Sequence, residues 1–435
     1  MLFFCGFGWT TFLFILSTGS PIHDEIAHFL IARNAWFDLT LLLDLWGRPV
    51  NTLCYFVPSL AGLEGARILS LTMSCFTILI ATEVGKKQGL KFLYLIPLFC
   101  WFQPWYNTLS FTVITEVPFS LFLLLSFYLF LVRKDTMATM IAGLLPLVRH
   151  EGIVLVFIII IYGLFKRKYL LSIAVLYPII VYNLIYFSLH HSWPFLIFLT
   201  PKPALNVFYG IGGWLHFVMP TILAVGWPVF FLSLIFISSL IRDLRYVWFC
   251  IPYLVYFFTH TVLYRYGLFA SGGYQLFLFP LSPFFAIAAA HGSETLVHKI
   301  GKVLERSQKR HREILKRLIF IFLSVLTLSH GFTTVPHLLG REEQAMKEAA
   351  SFVLQRNFSP NQITASHVWF FYFYNWRSAH NLKQPFNDLK SGDVIVWDAH
   401  YSTREGYRFD NFWNSEYWKV LKIDPTGFYA IFQKR

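Results

Sequence analysis

The sequence predicts a polytopic α-helical membrane protein of about eleven transmembrane helices, with interfacial helices in its first outer loop and a small extracytoplasmic α/β domain at the C-terminal end. Three observations carry this. The 435 residues are 56% hydrophobic and only 14% charged, with a mean hydropathy of +0.55, whereas a soluble domain carries about 25% charge. The apolar residues fall in blocks of roughly 15 to 25, the length that crosses about 30 Å of hydrocarbon. Basic residues gather in alternate connecting segments, as the positive-inside rule requires.

The blocks give spans at 2–19, 66–82, 92–106, 115–132, 136–149, 152–165, 169–188, 215–240, 246–263, 274–290 and 318–335. The third, fifth and sixth are short for a full crossing, so tilt or partial re-entry is expected there. The first stretch has no basic n-region and no small-residue cleavage site, which predicts a retained helix instead of a cleaved signal peptide. With a cytoplasmic N-terminus, the loops on that side collect eighteen Lys and Arg residues, eight of them in 291–317. The opposite loops hold six: Arg33, Arg48, Arg67, Arg149, Lys202 and Arg265. The formal charge of +13 is therefore a topology signal, and nucleic acid is not an expected partner. The 291–317 loop also suits anionic lipid head groups.

An odd span count puts the C-terminus outside. Two domains follow: a membrane domain over 1–340 and a small outer domain over 341–435. The outer domain opens with an amphipathic helix, Arg341–Arg356. Strand-like runs follow at Ile363–Tyr374, Asp393–Trp397, Tyr417–Ile423 and Gly427–Phe432, with a turn at Ser391-Gly392-Asp393. The aromatic run Trp369–Tyr374 reads as a buried core strand. In the first outer loop, residues 20–65, the segments His28–Trp36 and Asp38–Trp46 read as amphipathic helices in the interface, anchored by Trp36 and Trp46. The five cysteines lie in or beside spans and none falls in the last hundred residues, so no disulfide framework holds the outer domain.

Candidate chemistry concentrates on the outer side. Asp24 and Glu25 follow the first span. Helix neighbours point about 100° apart, so one can face a cavity while the other caps or pairs elsewhere. Asp24 shares a face with His28, and a partly desolvated carboxylate can act as a general base on a hydroxyl. The competing reading is an acid placed at a helix terminus by the dipole. Glu116, at the outer start of the fourth span, is a second acid, and with Asp24 a candidate ligand pair for a divalent metal ion. Arg149-His150-Glu151 sets three ionisable groups between two apolar stretches. Such groups at membrane depth are rare and mark function, although an Arg149–Glu151 pair could simply tie a turn. Arginine forks onto phosphate oxygens, which makes Arg149, Arg265 (beside Tyr266) and Arg48 candidate phosphate readers. The outer histidines show no tight ligand spacing, so no dedicated zinc site is expected.

With these residues placed, the chain resembles the GT-C superfamily of integral-membrane glycosyltransferases, in the mannosyltransferase-like branch that includes protein O-mannosyltransferases and the aminoarabinose transferase of lipid A. The resemblance rests on Asp24-Glu25 after the first span, Trp46-Gly-Arg-Pro49 followed by Pro58…Gly62…Ala66-Arg67, Thr115-Glu-Val-Pro118, Arg149-His-Glu-Gly152 and Gln275–Pro283, and covers roughly residues 1–290. It implies a hexosyltransferase of the plasma membrane that moves a sugar, mannose in many relatives, from a polyprenyl-phosphate donor to a hydroxyl of a glycan, lipid or protein. Asp24 would be the base, with Glu25 second. Glu116 would hold a metal or the acceptor, and Arg149 and Arg265 the donor phosphate. His28, His150, Glu151 and Tyr266 would support them. One departure stands out: many members carry an Arg-Tyr pair close before the late Pro-x-x-Pro, where this chain has Tyr274-Gln275 and places Arg265-Tyr266 earlier. The alternative class is a transporter or lipid flippase, which would show inverted repeats and mid-membrane broken helices; no pairing of the two halves is visible. A non-catalytic assembly subunit working through its outer domain is the third reading.

Overall fold

A computed structural model describes residues 2–192, 210–240, 247–268, 271–303, 309–377 and 389–435. Lys202, Arg242, Arg245 and Arg306 of the basic-residue count lie outside them. The first part of the chain is helical: α1 (Leu2–Leu16), α2 (His23–Asn34), α3 (Pro49–Phe56), α4 (Gly62–Lys87), α5 (Leu95–Trp101), α6 (Pro104–Leu109), α7 (Glu116–Leu131), α8 (Asp135–Val148), α9 (Gly152–Phe165), α10 (Tyr169–Ala174) and α11 (Tyr177–His190). After the gap come α12 (Val218–Val225), α13 (Trp227–Leu240), α14 (Val247–Arg265), a 3₁₀ segment Gln275–Leu281, α15 (Ser282–Val303) and α16 (Lys309–Gly331).

The burial pattern is that of a protein solvated by lipid. Large apolar side chains face outward, such as Ile68 and Phe76 on α4 and Phe157 and Phe165 on α9. Polar groups turn inward and bond across helices: Thr10 donates to Asn107 (3.1 Å), Ser74 to the Ser110 carbonyl (2.8 Å), and Tyr55 meets Ser70 (2.7 Å). Hydrocarbon offers no partner to an exposed donor, so such groups must be satisfied inside. Small residues let backbones close up: a Cβ on Gly292 of α15 would collide with the Leu232 carbonyl of α13.

Among the described residues, three helical stretches are long and apolar enough to cross a membrane: Pro58–Lys87, Tyr169–His190 and Gln275–Lys302. A fourth qualifies if α12 and α13, bent by 115°, form one span. Five further apolar helices, Leu2–Leu16, Glu116–Leu131, Asp135–Val148, Gly152–Phe165 and Arg317–Gly331, are shorter than a perpendicular crossing. The expected third span is two short helices, α5 and α6, broken at Pro104. Every residue of α5 is buried, so that helix has no lipid-facing side. Proline biases Gln103 before it out of the helical region, and the Gln103 ψ is 131°. Much of the expected 291–317 loop is instead the continuation of α15 and the start of α16.

The first loop corrects another expectation. No interfacial helices occupy 28–36 and 38–46. Helix α2 starts earlier, at His23, and is buried on almost every side, with Ile26, Leu30 and Ala32 fully inaccessible. It is sandwiched between α3 and a helix of the C-terminal domain, so both its faces find protein. Residues 39–43 form only a 3₁₀ turn, capped by Asp38, which accepts from Thr40 N–H (2.9 Å). Trp36 and Trp46 stack on Phe56 (4.1 Å between centroids) and His28 (4.9 Å).

The C-terminal residues build a small α/β layer: helix α17 (Arg341–Gln355), strands β1 (Ile363–Ala365), β2 (Val394–Asp398), β3 (Trp418–Ile423) and β4 (Tyr429–Lys434), with α18 (Val368–Tyr374) between β1 and β2. The sheet order is β1-β2-β4-β3, β1 parallel to β2 and the other pairs antiparallel, with a bulge at Val420/Lys422. The aromatic run is therefore not a strand. Trp369, Phe370 and Phe371 are buried as a helix packed on α17 and α2; an all-apolar run has no period to separate the two forms.

Candidate active site

The four elements that shape the site meet where short helices end. Asp24 lies in the first turn of α2. Arg48 is the residue before α3, held at φ 63°, a left-handed conformation that costs a non-glycine residue energy. Glu116 opens α7 and Arg149 closes α8. Together with Thr115, His28, Trp46 and Phe277 they line one cavity of about 100 Å³.

Asp24 is the exposed member of the four charged groups. Its surface opens into this cavity, where protein crowds it on the other sides. Among the described residues it has no hydrogen-bond or ion-pair partner. Burial raises its pKa above the ordinary carboxylate value and the Glu116 carboxylate adds to the rise, against Arg149 and Arg48, which oppose it. An unpartnered carboxylate with raised basicity is the state a general base needs.

Glu25, one residue on, points the opposite way. It is fully buried and grips Arg67 with both oxygens, at 2.8 Å from Nε and 2.8 Å from Nη2, while Val113 N–H donates to it at 3.2 Å. Arg67 also donates to the Ser17 (3.0 Å) and Gly19 (2.6 Å) carbonyls. Glu25 thus braces α2 against α4 and α1, and of the acidic pair only Asp24 reaches the cavity.

Arg149 is buried and committed to acids on two sides. Its Nη1 donates to Glu116 and to Thr115 Oγ1 (2.9 Å), and its Nη2 to Glu151 (2.9 Å). Its guanidinium lies over the Phe277 ring at 5.3 Å, and its Nε finds no partner. Burial works to raise the Glu151 pKa, but Arg149 and His260 outweigh it and hold the group well below its usual range. Arg48 is less constrained: its Nη1 donates to the Leu45 carbonyl (2.5 Å) and meets His150 Nε2 (3.1 Å). Burial and the neighbouring Arg48 push His150 down to about 3, so it accepts that bond as a neutral ring. His28 is likewise lowered to about 3 by burial and then by Arg48 and Arg149.

Two expected members do not join. Arg265, at the end of α14, and Tyr266 are exposed and are not among the residues lining the cavity. The Asp24–Glu116 metal pair does not fit either. Glu116 is already bonded by Arg149 and Thr115, and two guanidinium groups line the space a divalent cation would enter, so the cavity favours an anionic ligand. Phe277 was legible only as part of the Gln275–Pro283 motif, and Trp46 only as part of the Trp46–Pro49 motif and as an expected interfacial anchor, neither as a cavity wall.

No family model matches this chain, and no curated protein sequence matches it. Its structure is similar to that of ArnT from Cupriavidus metallidurans bound to undecaprenyl phosphate, with a TM-score of 0.63 at 10% identity over 99% of this chain and 97% of that one. The apo state of the same ArnT gives 0.60 at 10% identity over 96% and 94%. The two chains share a fold along nearly their whole lengths.

Proposed function

We propose that this chain is an integral-membrane glycosyltransferase that takes its sugar from a polyprenyl-phosphate donor and passes it to an acceptor hydroxyl on the extracytoplasmic face of the membrane. The observation that carries the reading is the single cavity in which the unpartnered Asp24 meets the guanidinium groups of Arg48 and Arg149. The fold shared with a protein crystallised on undecaprenyl phosphate supports a lipid-linked phosphate as the anion.

In this reading Arg48, the arginine without a carboxylate bonded to it among the described residues, takes the donor phosphate. Arg149 is held rigid by Glu116 and Glu151 and supplies positive potential from the cavity wall. Asp24 accepts the acceptor hydroxyl proton as the new bond to the anomeric carbon forms. The carbon–oxygen bond to phosphate breaks, and its electron pair leaves on the phosphate beside Arg48. One displacement inverts the anomeric centre.

The test is transfer by the purified full-length protein from a panel of radiolabelled polyprenyl-phosphate sugars, mannose first, to membrane acceptors. The wild type should transfer one of them, and Asp24→Asn should lose at least about a hundredfold in rate, the usual contribution of a general base. Full activity in that variant would remove Asp24 from the chemistry. Movement of the lipid across vesicles without any transfer product would replace the enzyme by the flippase.

A further inference from the structure

One cluster lies just behind the catalytic helix and outside the cavity. His23 opens α2, Glu342 sits in the first turn of α17, His367 caps α18 and His400 follows β2. Their ligand atoms all lie within 4.8 Å of one another. One Glu342 oxygen receives His367 Nε2 and His400 Nδ1 at 2.7 Å each and stands 3.6 Å from His23 Nε2. His367 is buried, while the other three are about a quarter exposed, which leaves an entry path.

We propose that His23, His367, His400 and Glu342 form a structural zinc site that clamps the helix bearing Asp24 to the C-terminal domain. Three imidazoles and a carboxylate are the donor set of a closed tetrahedral zinc site. With zinc–nitrogen and zinc–oxygen bonds of about 2.0–2.2 Å, tetrahedral ligand atoms stand roughly 3.3 Å apart, between the 2.7 and 3.6 Å separations from the Glu342 oxygen and inside the 4.8 Å that bounds the set.

The second coordination layer predicts a signature. Trp369 donates its indole N–H to His23 Nδ1 (3.1 Å) and its backbone N–H to His367 Nδ1 (3.2 Å). Without metal, both rings therefore carry their proton on Nε2, aimed at Glu342. A metal at Nε2 moves each proton to Nδ1 and breaks both Trp369 bonds. His400 faces Glu342 with Nδ1 and keeps its hydrogen on Nε2. Trp369 thus opposes the metal, and removing its indole N–H should tighten binding. The proposal is independent of the transfer reaction.

The full-length protein in detergent, stripped by chelator, is titrated with cobalt(II) and then zinc(II). We expect one equivalent of cobalt with the intense visible spectrum of four-coordinate geometry, displaced by zinc. His400→Ala should lower affinity at least tenfold and weaken the spectrum, while Trp369→Phe should raise affinity severalfold. No stoichiometric cobalt, or binding unchanged in His400→Ala, overturns the site and leaves the four groups as a hydrogen-bonded latch. If His400→Ala misfolds, Trp369→Phe still decides, because unchanged or weakened affinity there contradicts the stated ligation.

Discussion

Asp24 and Glu25 are chain neighbours with opposite surroundings, and exchanging each carboxylate for its amide separates function from stability. Glu25→Gln removes the charge from a fully buried pair and leaves the Arg67 guanidinium, 3% exposed, facing an amide. Breaking such a pair strands a buried charge and costs about 3–5 kcal/mol. The two carbonyl bonds that Arg67 keeps, to Ser17 and Gly19, soften the loss toward the lower figure. At roughly 2 °C per kcal/mol for a large chain, the unfolding midpoint should fall by about 6–10 °C. Asp24→Asn breaks no hydrogen bond or ion pair among the described residues and removes a charge that burial disfavours, so its midpoint should stay within about 2 °C or rise. Both are read by intrinsic fluorescence during heating of detergent-solubilised protein, beside a transfer assay. The reasoning fails if Glu25→Gln melts with the wild type, or if Asp24→Asn is the destabilised variant.

Asp24 also sets a pH dependence. Its native pKa lies above its unfolded value, so its contribution to stability is present in full below the ordinary carboxylate range and is lost as pH rises through the raised value. Transfer runs the other way, because the base form accumulates with pH; the acid limb of the rate profile should sit above the usual carboxylate range. Arg48→Gln removes a charge that lowers the Asp24 pKa, so that limb should move to higher pH while KM for the donor rises; a limb that moves down would contradict the placement. Arg265→Ala, outside the cavity lining, should change transfer less than about twofold, and a loss like that of Asp24→Asn would restore Arg265 to the site. Gly292→Ala should force α15 and α13 apart and lower the unfolding midpoint by several degrees, since overpacking costs about 1–3 kcal/mol; an unchanged midpoint would mean that the two backbones do not meet there.

The membrane class was legible because lipid leaves its mark on composition: few charges, long apolar blocks and bases sorted by loop. The C-terminal sheet was legible from its alternating runs, apart from 368–374, whose unbroken aromatic character fits a helix and a strand equally. Helix α2 was misplaced because an amphipathic pattern does not say whether lipid or protein covers the apolar face; here α3 and α18 do. In the site, Asp24, Arg48, Glu116 and Arg149 stood out as ionisable groups where the chain leaves an apolar stretch. Their division of labour did not. Glu25 and Asp24 look alike in sequence, and only the reach of Arg67 from 42 residues away separates the carboxylate that braces the helices from the one that lines the cavity. Arg265 shared every local feature of a phosphate reader, and the tertiary path of α14 took it elsewhere. The His23–His367–His400 cluster was invisible because His23 lies hundreds of residues before the other two and none of them has the short ligand spacing that marks a zinc motif.

The central claim is that the cavity beside Asp24 receives a lipid-linked phosphate through Arg48. Native mass spectrometry of the detergent-solubilised protein with undecaprenyl phosphate tests it directly. The account predicts one bound lipid on the wild type and on Asp24→Asn, and at least a tenfold weaker population on Arg48→Ala. Equal occupancy of all three proteins, or none on the wild type, would contradict it.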